Sequence, residues 1–402
     1  MSGNETPVAI DTGTAYELGP PEVDADLIEV ERGTPTGEML RRYWHPFAVS
    51  ADADDTPRPV RILGEDLILF RDGRGRPGLV HPRCCHRGTT LYYGKVEAEG
   101  LRCCYHGWLF DTEGRTLDMP CEPDGGRRRD RYRQPWYPVE EYHGMIFTYM
   151  GPPEHRPALP HYDVLDNVPE GWEVVADGNN IGLEGDPTPC NWFQTHENVM
   201  DPFHVFVLHA GFSGNQFVAE MANLPKVSWH FTDQGVKSHQ DRVLDDGRFF
   251  HRVTEVVMPN IRIVASPFVE FEGPATSVAW TLPISRTETK IFTILTRPIG
   301  QRRRRALYDG KRWNELTEAE HQRYPGDYEA QVGQGAVTVH SEENLAASDK
   351  GVTMFRHVFR SQVKAVAEGR SPVGVTTDPE LARFAVRAGN YIGAREDVID
   401  LG

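Results

Sequence analysis

Two short segments of this 402-residue chain constrain it more than any other feature. Cys84-Cys85-His86 and Cys103-Cys104-Tyr105-His106 each put thiols and an imidazole on one loop, and sixteen residues separate His86 from Cys103. Gly88 and Gly107 follow the histidines closely and let each loop turn. Two such loops meet most simply as the tips of adjacent hairpins. The flanks agree with a β-rich unit. Residues 60–63, 67–70 and 78–81 are short apolar runs, with turns at Gly64-Glu65-Asp66 and Asp72-Gly73-Arg74-Gly75. Residues 108–110, 111–114 and 115–119 read as strand, turn and strand, and 145–149 as one strand more. Gly151-Pro152-Pro153, followed by Pro157 and Pro160, marks a boundary near residue 155.

The donor set is two Cys and two His, one of each per loop. A Rieske-type [2Fe–2S] cluster takes this set, with two thiolates on one iron and two imidazoles on the other. Cys84, His86, Cys103 and His106 are the candidate ligands, and Trp108 stands where it could shield the cluster. A structural zinc site is the competing reading, although zinc fingers take Cys pairs and then His pairs. Four of the six cysteines sit in these two adjacent pairs, unlike the spread cysteines of a disulfide-stapled secreted domain. Cys85 and Cys104 are spare, as buried small side chains or as a bridge between the loops. Cys121 and Cys190 look incidental.

The rest of the chain differs. Residues 1–35 are acidic and rich in Gly and Pro, and are expected to form a flexible arm or peripheral strap. Residues 226–300 alternate strongly and predict several antiparallel strands. Residues 310–330 are polar and helix-prone. Val352, Phe355, Phe359, Val363 and Val366 form one helical stripe, closed by Gly369. A second constellation begins at Asn191-Trp192 and runs through Asp201-Pro202-Phe203-His204 to His209. Two His with one carboxylate is the ligand set of non-haem Fe(II) oxygenases. Residues five apart on an α-helix point about 140° from each other. His204 and His209 therefore share a metal only if the helix ends, bends or carries a π-bulge. His196 reads as a supporting or solvent histidine.

Both constellations, in this order, resemble the Rieske non-haem iron oxygenases over about residues 35–370. Cys85-His86-Arg87-Gly88, Tyr105-His106-Gly107-Trp108, Asp118-Met119-Pro120 and Glu122-Pro123 are similar to the phthalate-dioxygenase-like branch. That branch includes aromatic hydroxylases and O-demethylases. Asn191-Trp192, Gln194, Glu197, Asp201, His204 and His209 match its second motif. The resemblance implies an α+β chain. A Rieske domain over residues 36–155 would precede a catalytic domain over 156–402, an antiparallel sheet covered by helices in a helix-grip-like arrangement. It implies a homotrimer packed head to tail, with Asp201 bridging the iron site of one subunit to His106 of the next. It implies a third iron ligand from a late helix. Asp349 in Ser348-Asp349-Lys350 matches best, with Glu342 and Glu343 as competitors. The doubled cysteines depart from many relatives.

The implied activity is that of a terminal oxygenase component. It would use O2, together with electrons that a separate NAD(P)H-dependent reductase supplies directly or through a ferredoxin. Its substrate would be a small aromatic, carboxylated or methoxylated, that is hydroxylated or O-demethylated. Cis-dihydroxylation and a non-aromatic substrate are alternatives on the same scaffold. Arg248, Arg252 or Arg262 could meet a substrate carboxylate. No GxGxxG stands before a helix, so no nucleotide motif is expected here. Two arginine runs are candidate docking patches: Arg127, Arg128, Arg129, Arg131 and Arg133, and Arg302 to Arg305. A net charge of -16 argues against nucleic acid. No run reaches the ~18 apolar residues of a membrane span, and the start lacks a signal peptide's pattern, so a cytoplasmic protein is expected. A zinc-stabilised binding protein without redox function is the reading from another class.

Overall fold

Strand-forming runs and Gly-centred turns build three small sheets in the first part of the chain. The computed structural model describes residues 15, 18–180, 183, 186–214, 216–268, 272–302 and 305–401. Helices α1 (Ala25–Ile28) and α2 (Pro35–Leu40) come first. Thr34 caps α2 by accepting from Gly37 N, and Pro35 stands at its first position, where the missing N–H costs nothing. Leu27 and Ile28 are buried, so this part of the expected arm lies packed on the molecule. Residues 1–14, 16 and 17 are outside the described residues.

Strands β1 (Trp44–Val49), β2 (Arg58–Ile62), β3 (Glu65–Arg71), β4 (Pro77–Val80), β5 (Lys95–Glu97) and β6 (Gly100–Arg102) follow. Then come β7 (Leu109–Phe110), β8 (Thr116–Asp118), β9 (Trp136–Tyr137), β10 (Val139–Tyr142) and β11 (Met145–Tyr149). They form sheets of order β2-β3-β4-β9, β5-β6-β7-β8 and β1-β11-β10. The two Cys/His loops leave β4 and β6. A separate apolar cluster underlies them and includes Ile68, Phe70, Leu101, Trp108, Phe110, Cys84 and Cys103.

After β12 (His161–Tyr162), α3 (Asp163–Asp166) and β13 (Trp172–Asp177) comes α4 (Trp192–Glu197). Strands β14 (Lys226–Phe231), β15 (Gly235–Val243), β16 (Phe249–Val257), β17 (Ile261–Val264), β18 (Gly273–Pro274), β19 (Ser277–Ser285) and β20 (Glu288–Pro298) build the large sheet. Its order is β13-β20-β19-β17-β16-β15-β14, and these pairs are antiparallel. Helices α5 (Glu318–Arg323), α6 (Asp327–Val332) and α7 (Lys350–Ala367) come next, then β21 (Arg383–Phe384), β22 (Gly389–Gly393) and α8 (Arg395–Val398). Strand β22 pairs with the first half of β16.

The stripe of α7 buries Val352, Phe355, Phe359, Val363 and Val366. Phe355 and Phe359 close on Phe193 of α4 at ring distances of 5.5 and 5.0 Å. Arg356 of the same helix, itself buried, holds Glu197 and Glu343 at 2.7 Å each. Cutting it to Ala would leave Glu197 charged and buried, a loss of about 3–5 kcal/mol. Helix α7 thus clamps α4 from behind and leaves α4's other end to the site. One apolar core runs through α1, α2, β1, β11, α4, the large sheet and α7. Among the described residues no helix is long and apolar enough to cross a membrane.

Candidate functional site

The first part of the site is the pair of loops. They repeat one backbone device. Gly88 N donates to Cys84 O at 2.8 Å and Cys84 N to Thr89 O at 2.8 Å. Gly107 N donates to Cys103 O at 3.1 Å and Cys103 N to Trp108 O at 2.8 Å. Each glycine has positive φ, +75° and +74°, where a side chain is strained. A Cβ on Gly107 would also meet Pro120 Cγ at 2.7 Å. Buried Gln134 pins the first loop, accepting from Cys85 N at 2.8 Å and donating to the carbonyls of His81 and Arg83.

These turns send Cys84 and Cys103 inward, where both are buried. The rings of His86 and His106 stand 4.6 Å apart nearer the surface. Trp108 lies parallel to His86, 4.5 Å away with 2° between planes. The Cys84 pKa is pushed up by the neighbouring Cys85 thiol and by burial. All six cysteines are free, and Cys85 and Cys104 are exposed. The four donors of the loops do not close on one point. Among the described residues the one group of three ligating atoms within 4.8 Å of one another lies elsewhere. A single tetrahedral zinc needs its donors that close, whereas a two-iron cluster spreads them. The arrangement fits the cluster.

The second part is that other group: His204, His209 and Asp327. His209 lies in a π-helical stretch, Val205–Phe212, that starts just after His204. The wider turn brings residues five apart to one side, as their spacing required. The two rings are 5.4 Å apart at 71°. Asp327 Oδ1 stands 3.7 Å from His204 Nε2 and 3.4 Å from His209 Nε2. The outer nitrogens are occupied. His209 Nδ1 meets Gln216 Oε1 at 2.7 Å, and His204 Nδ1 meets the carbonyl of Asp201. Nδ1–H donates in both, so each Nε2 presents its lone pair to the common point. His209 Nε2 is buried with no hydrogen bond, an orphan that a metal ion would satisfy. Two His and one carboxylate fit iron, with positions left open.

Neighbouring groups hold this geometry. Gln216 donates to Pro325 O at 3.2 Å and Ser213 Oγ donates to the same carbonyl at 2.6 Å. They tie the π-helical segment to the turn that precedes Asp327. Gln194 of α4 donates to Gln331 O and Gly335 O at 2.8 and 3.0 Å, which docks α6. Asn198 donates to Asp327 Oδ1 at 3.3 Å. Burial pushes the Asp327 pKa up, but the charges of His209, His204 and Arg262 hold it well below the usual range. Burial opposes the charged form of His204, yet Asp201 and Asp327 raise its pKa. Asp201 Oδ1 accepts from Phe203 N at 2.9 Å. Its Oδ2 lies 3.5 Å from His204 Nδ1, and 29% of its side chain stays exposed.

The expected third ligand, Asp349, does not stand with the two histidines. Asp349 stands just before α7 without a side-chain bond to that helix, and accepts from Ala346 N at 2.7 Å, outside the His204–His209 group. Glu343 is taken by Arg356 and Glu342 is exposed. Asp327, at the start of α6, is the carboxylate that stands with the two histidines. Two helices beginning with Asp are alike in sequence, since acids favour helix N-termini generally. Pro325-Gly326 followed by Asp327, with Glu329 bonding back to Gly326 N, was the available signal of a helix start there. Gln216 and Asn198 also carried no distinctive motif. His196 is buried, with Nδ1 on Thr281 Oγ1 at 3.1 Å.

The site thus defines an iron protein with one electron-storing and one oxygen-activating centre. Comparisons with known proteins agree. Residues 43–138 match the family model described as Rieske [2Fe-2S] domain. The chain is 47% identical over 386 residues to the phenoxybenzoate dioxygenase subunit alpha of Ectopseudomonas oleovorans, covering 94% of each. It is 31% identical to the 5,5'-dehydrodivanillate O-demethylase oxygenase subunit of a Sphingobium species, covering 90% of this chain and 84% of that one. NdmB of Pseudomonas putida CBB5 has the same fold, with a TM-score of 0.61 and 19% identity over 91% of this chain and 99% of that one. The chain belongs to the Rieske non-haem iron oxygenases, as an oxygenase (alpha) component. It is an oxidoreductase that uses O2, its cofactors are a Rieske [2Fe–2S] cluster and a mononuclear iron, and it works in a multi-component system with a separate electron donor.

Proposed function

We propose that this component hydroxylates or O-demethylates a small aromatic substrate, with aromatic acids of the phenoxybenzoate kind as the first to test. The observation that carries the reading is the convergence of His204 Nε2, His209 Nε2 and Asp327 Oδ1, with both Nδ1 atoms held by the protein. When bound, the cluster stores single electrons and the iron activates O2. Cys84, Cys103, His86 and His106 hold the cluster in a unit over residues 36–155. His204, His209 and Asp327 hold the iron in a unit over 156–402. Gln216 and Asp201 fix the tautomers and ring directions of the two imidazoles.

Asp201 joins the centres in a homotrimer, where its exposed carboxylate edge accepts from His106 of the partner subunit. Its remaining exposure and its place against His204 support that role. The donor is an NAD(P)H-dependent reductase, direct or through a ferredoxin. Arg127, Arg128, Arg129, Arg131 and Arg133 are exposed for docking it. Tyr132, in the same run, lies 5.1 Å from Trp108, which stacks on His86. Of the second run, Arg303 and Arg304 lie outside the described residues. Six free cysteines suit a reducing cytoplasm.

The test supplies purified protein with reductase, NADH and a panel of aromatic acids and methyl ethers. A red-brown protein and oxygenated product are expected, and formaldehyde release marks O-demethylation. A colourless, zinc-only protein sinks the reading.

A further inference from the structure

Four arginines lie between residues 240 and 265 on the large sheet and its turns, and they are not equivalent. Arg248 sits in an exposed hairpin and donates to Asp246 Oδ2 at 2.7 Å. Arg252 is 4% exposed and spends its guanidinium on Asn390 Oδ1 at 2.5 Å and Ala265 O at 3.0 Å. Arg242 is sealed, 2% exposed, against the Phe250 ring. Its Nε donates to Asn223 O at 2.8 Å, and its other two nitrogens are closed off in the core.

Arg262 alone of the four has neither a hydrogen bond nor an ion pair to any described residue, and part of its surface stays open. Its register fixes where it stands. Arg262 pairs with Ala279 across β17 and β19. Ala279 and Thr281 share a face, because side chains alternate along a strand. Thr281 Oγ1 bonds His196 of α4, the helix that leads into Asn198, Asp201 and His204. Arg262 therefore emerges on the iron side of the sheet. Asp327 is the charged group that acts on it there. The ligands around it also keep open surface, 20% for the His204 side chain and 24% for Asp327.

A largely buried guanidinium without a hydrogen-bond partner is costly. Its planar fork matches a carboxylate with two parallel hydrogen bonds. We propose that Arg262 receives the carboxylate of an aromatic acid and turns the ring toward the His204–His209–Asp327 group. This rests on the aromatic-oxygenase reading and narrows it to anionic substrates. The competing role is a counter-ion for Asp327, which would act on iron and not on the substrate's charge.

The experiment uses the purified full chain with both metals, without O2. Calorimetry measures binding of phenoxybenzoate and of its neutral analogue phenoxybenzyl alcohol to wild type, R262Q, R262K and R242Q, with iron content assayed alongside. The expected result is about 10–100-fold weaker phenoxybenzoate binding in R262Q, the size of a lost charged hydrogen-bond pair. Binding of the alcohol should change less than about 3-fold, R262K should recover part of the loss, and iron should stay. Equal weakening of both probes, loss of iron in R262Q, or the selective loss appearing in R242Q instead overturns the proposal while the aromatic-oxygenase reading stands. If wild type binds neither probe and turns over no aromatic acid or ether, both fail.

Discussion

The two halves of the site are built on opposite principles. The cluster loops place four candidate donors within residues 84–106, and each loop is shaped by its own turn and glycine. The iron group takes donors from 204 to 327, held by α4, a π-helical segment and the start of α6. A local site survives distant damage and is vulnerable inside its loops. An assembled site depends on every contact that docks its elements. Gln194 and Gln216 are such contacts, neither of them a ligand, joining segments more than 100 residues apart.

The sharpest break of this comparison is a double dissociation. Asp327→Ala should lose the mononuclear iron and lower turnover by at least ~10²-fold, with the cluster's visible spectrum unchanged. His86→Ala should do the reverse, bleaching the cluster and leaving iron assayed by chelation near one per chain. Loss of both metals in either variant would show that the halves are not independent. Asp201→Asn should keep both metals yet slow electron transfer between them by about 10²-fold, read as single-turnover reoxidation of the reduced cluster. Full turnover in that variant contradicts the bridging role.

Gln216→Ala should weaken iron binding by about 10–100-fold by freeing the His209 ring, measured by competition with a chelator. Gln134→Ala is its counterpart in the other half and should labilise the first cluster loop without touching iron. Asp349→Ala should have the smallest effect. It removes one exposed bond to Ala346 N, costs about 0.5 kcal/mol in denaturant unfolding and leaves iron content intact. Iron loss there would return Asp349 to the ligand set.

Legibility followed the same division. Each candidate cluster donor could be named because the Cys-x-His and Cys-x-x-His spacings are complete within one loop. Strands near 60–63, 67–70 and 145–149 were readable from apolar runs and turns, and the α7 stripe from its period. The five-residue gap between His204 and His209 announced an irregular helix, and the Val205–Phe212 segment is one. Asp327 was not readable, because a helix-starting Asp carries no mark of what the helix packs against. The N-terminal strap was half readable: its composition suggested an arm, while Leu27 and Ile28 bury themselves in the shared core.

By itself, then, the sequence determined the local matters: the paired Cys/His loops, the glycines beneath them, the strand and helix periods, and the need for a π-like turn between two histidines. These depend on residues within a few turns of one another. Only the tertiary structure decided which late carboxylate joins the imidazoles and which arginine is left free beside them. Those outcomes depend on how α4 packs between α6 and α7 and on strand register across the sheet. They are sums of many contacts between distant segments, and no single stretch of chain encodes them.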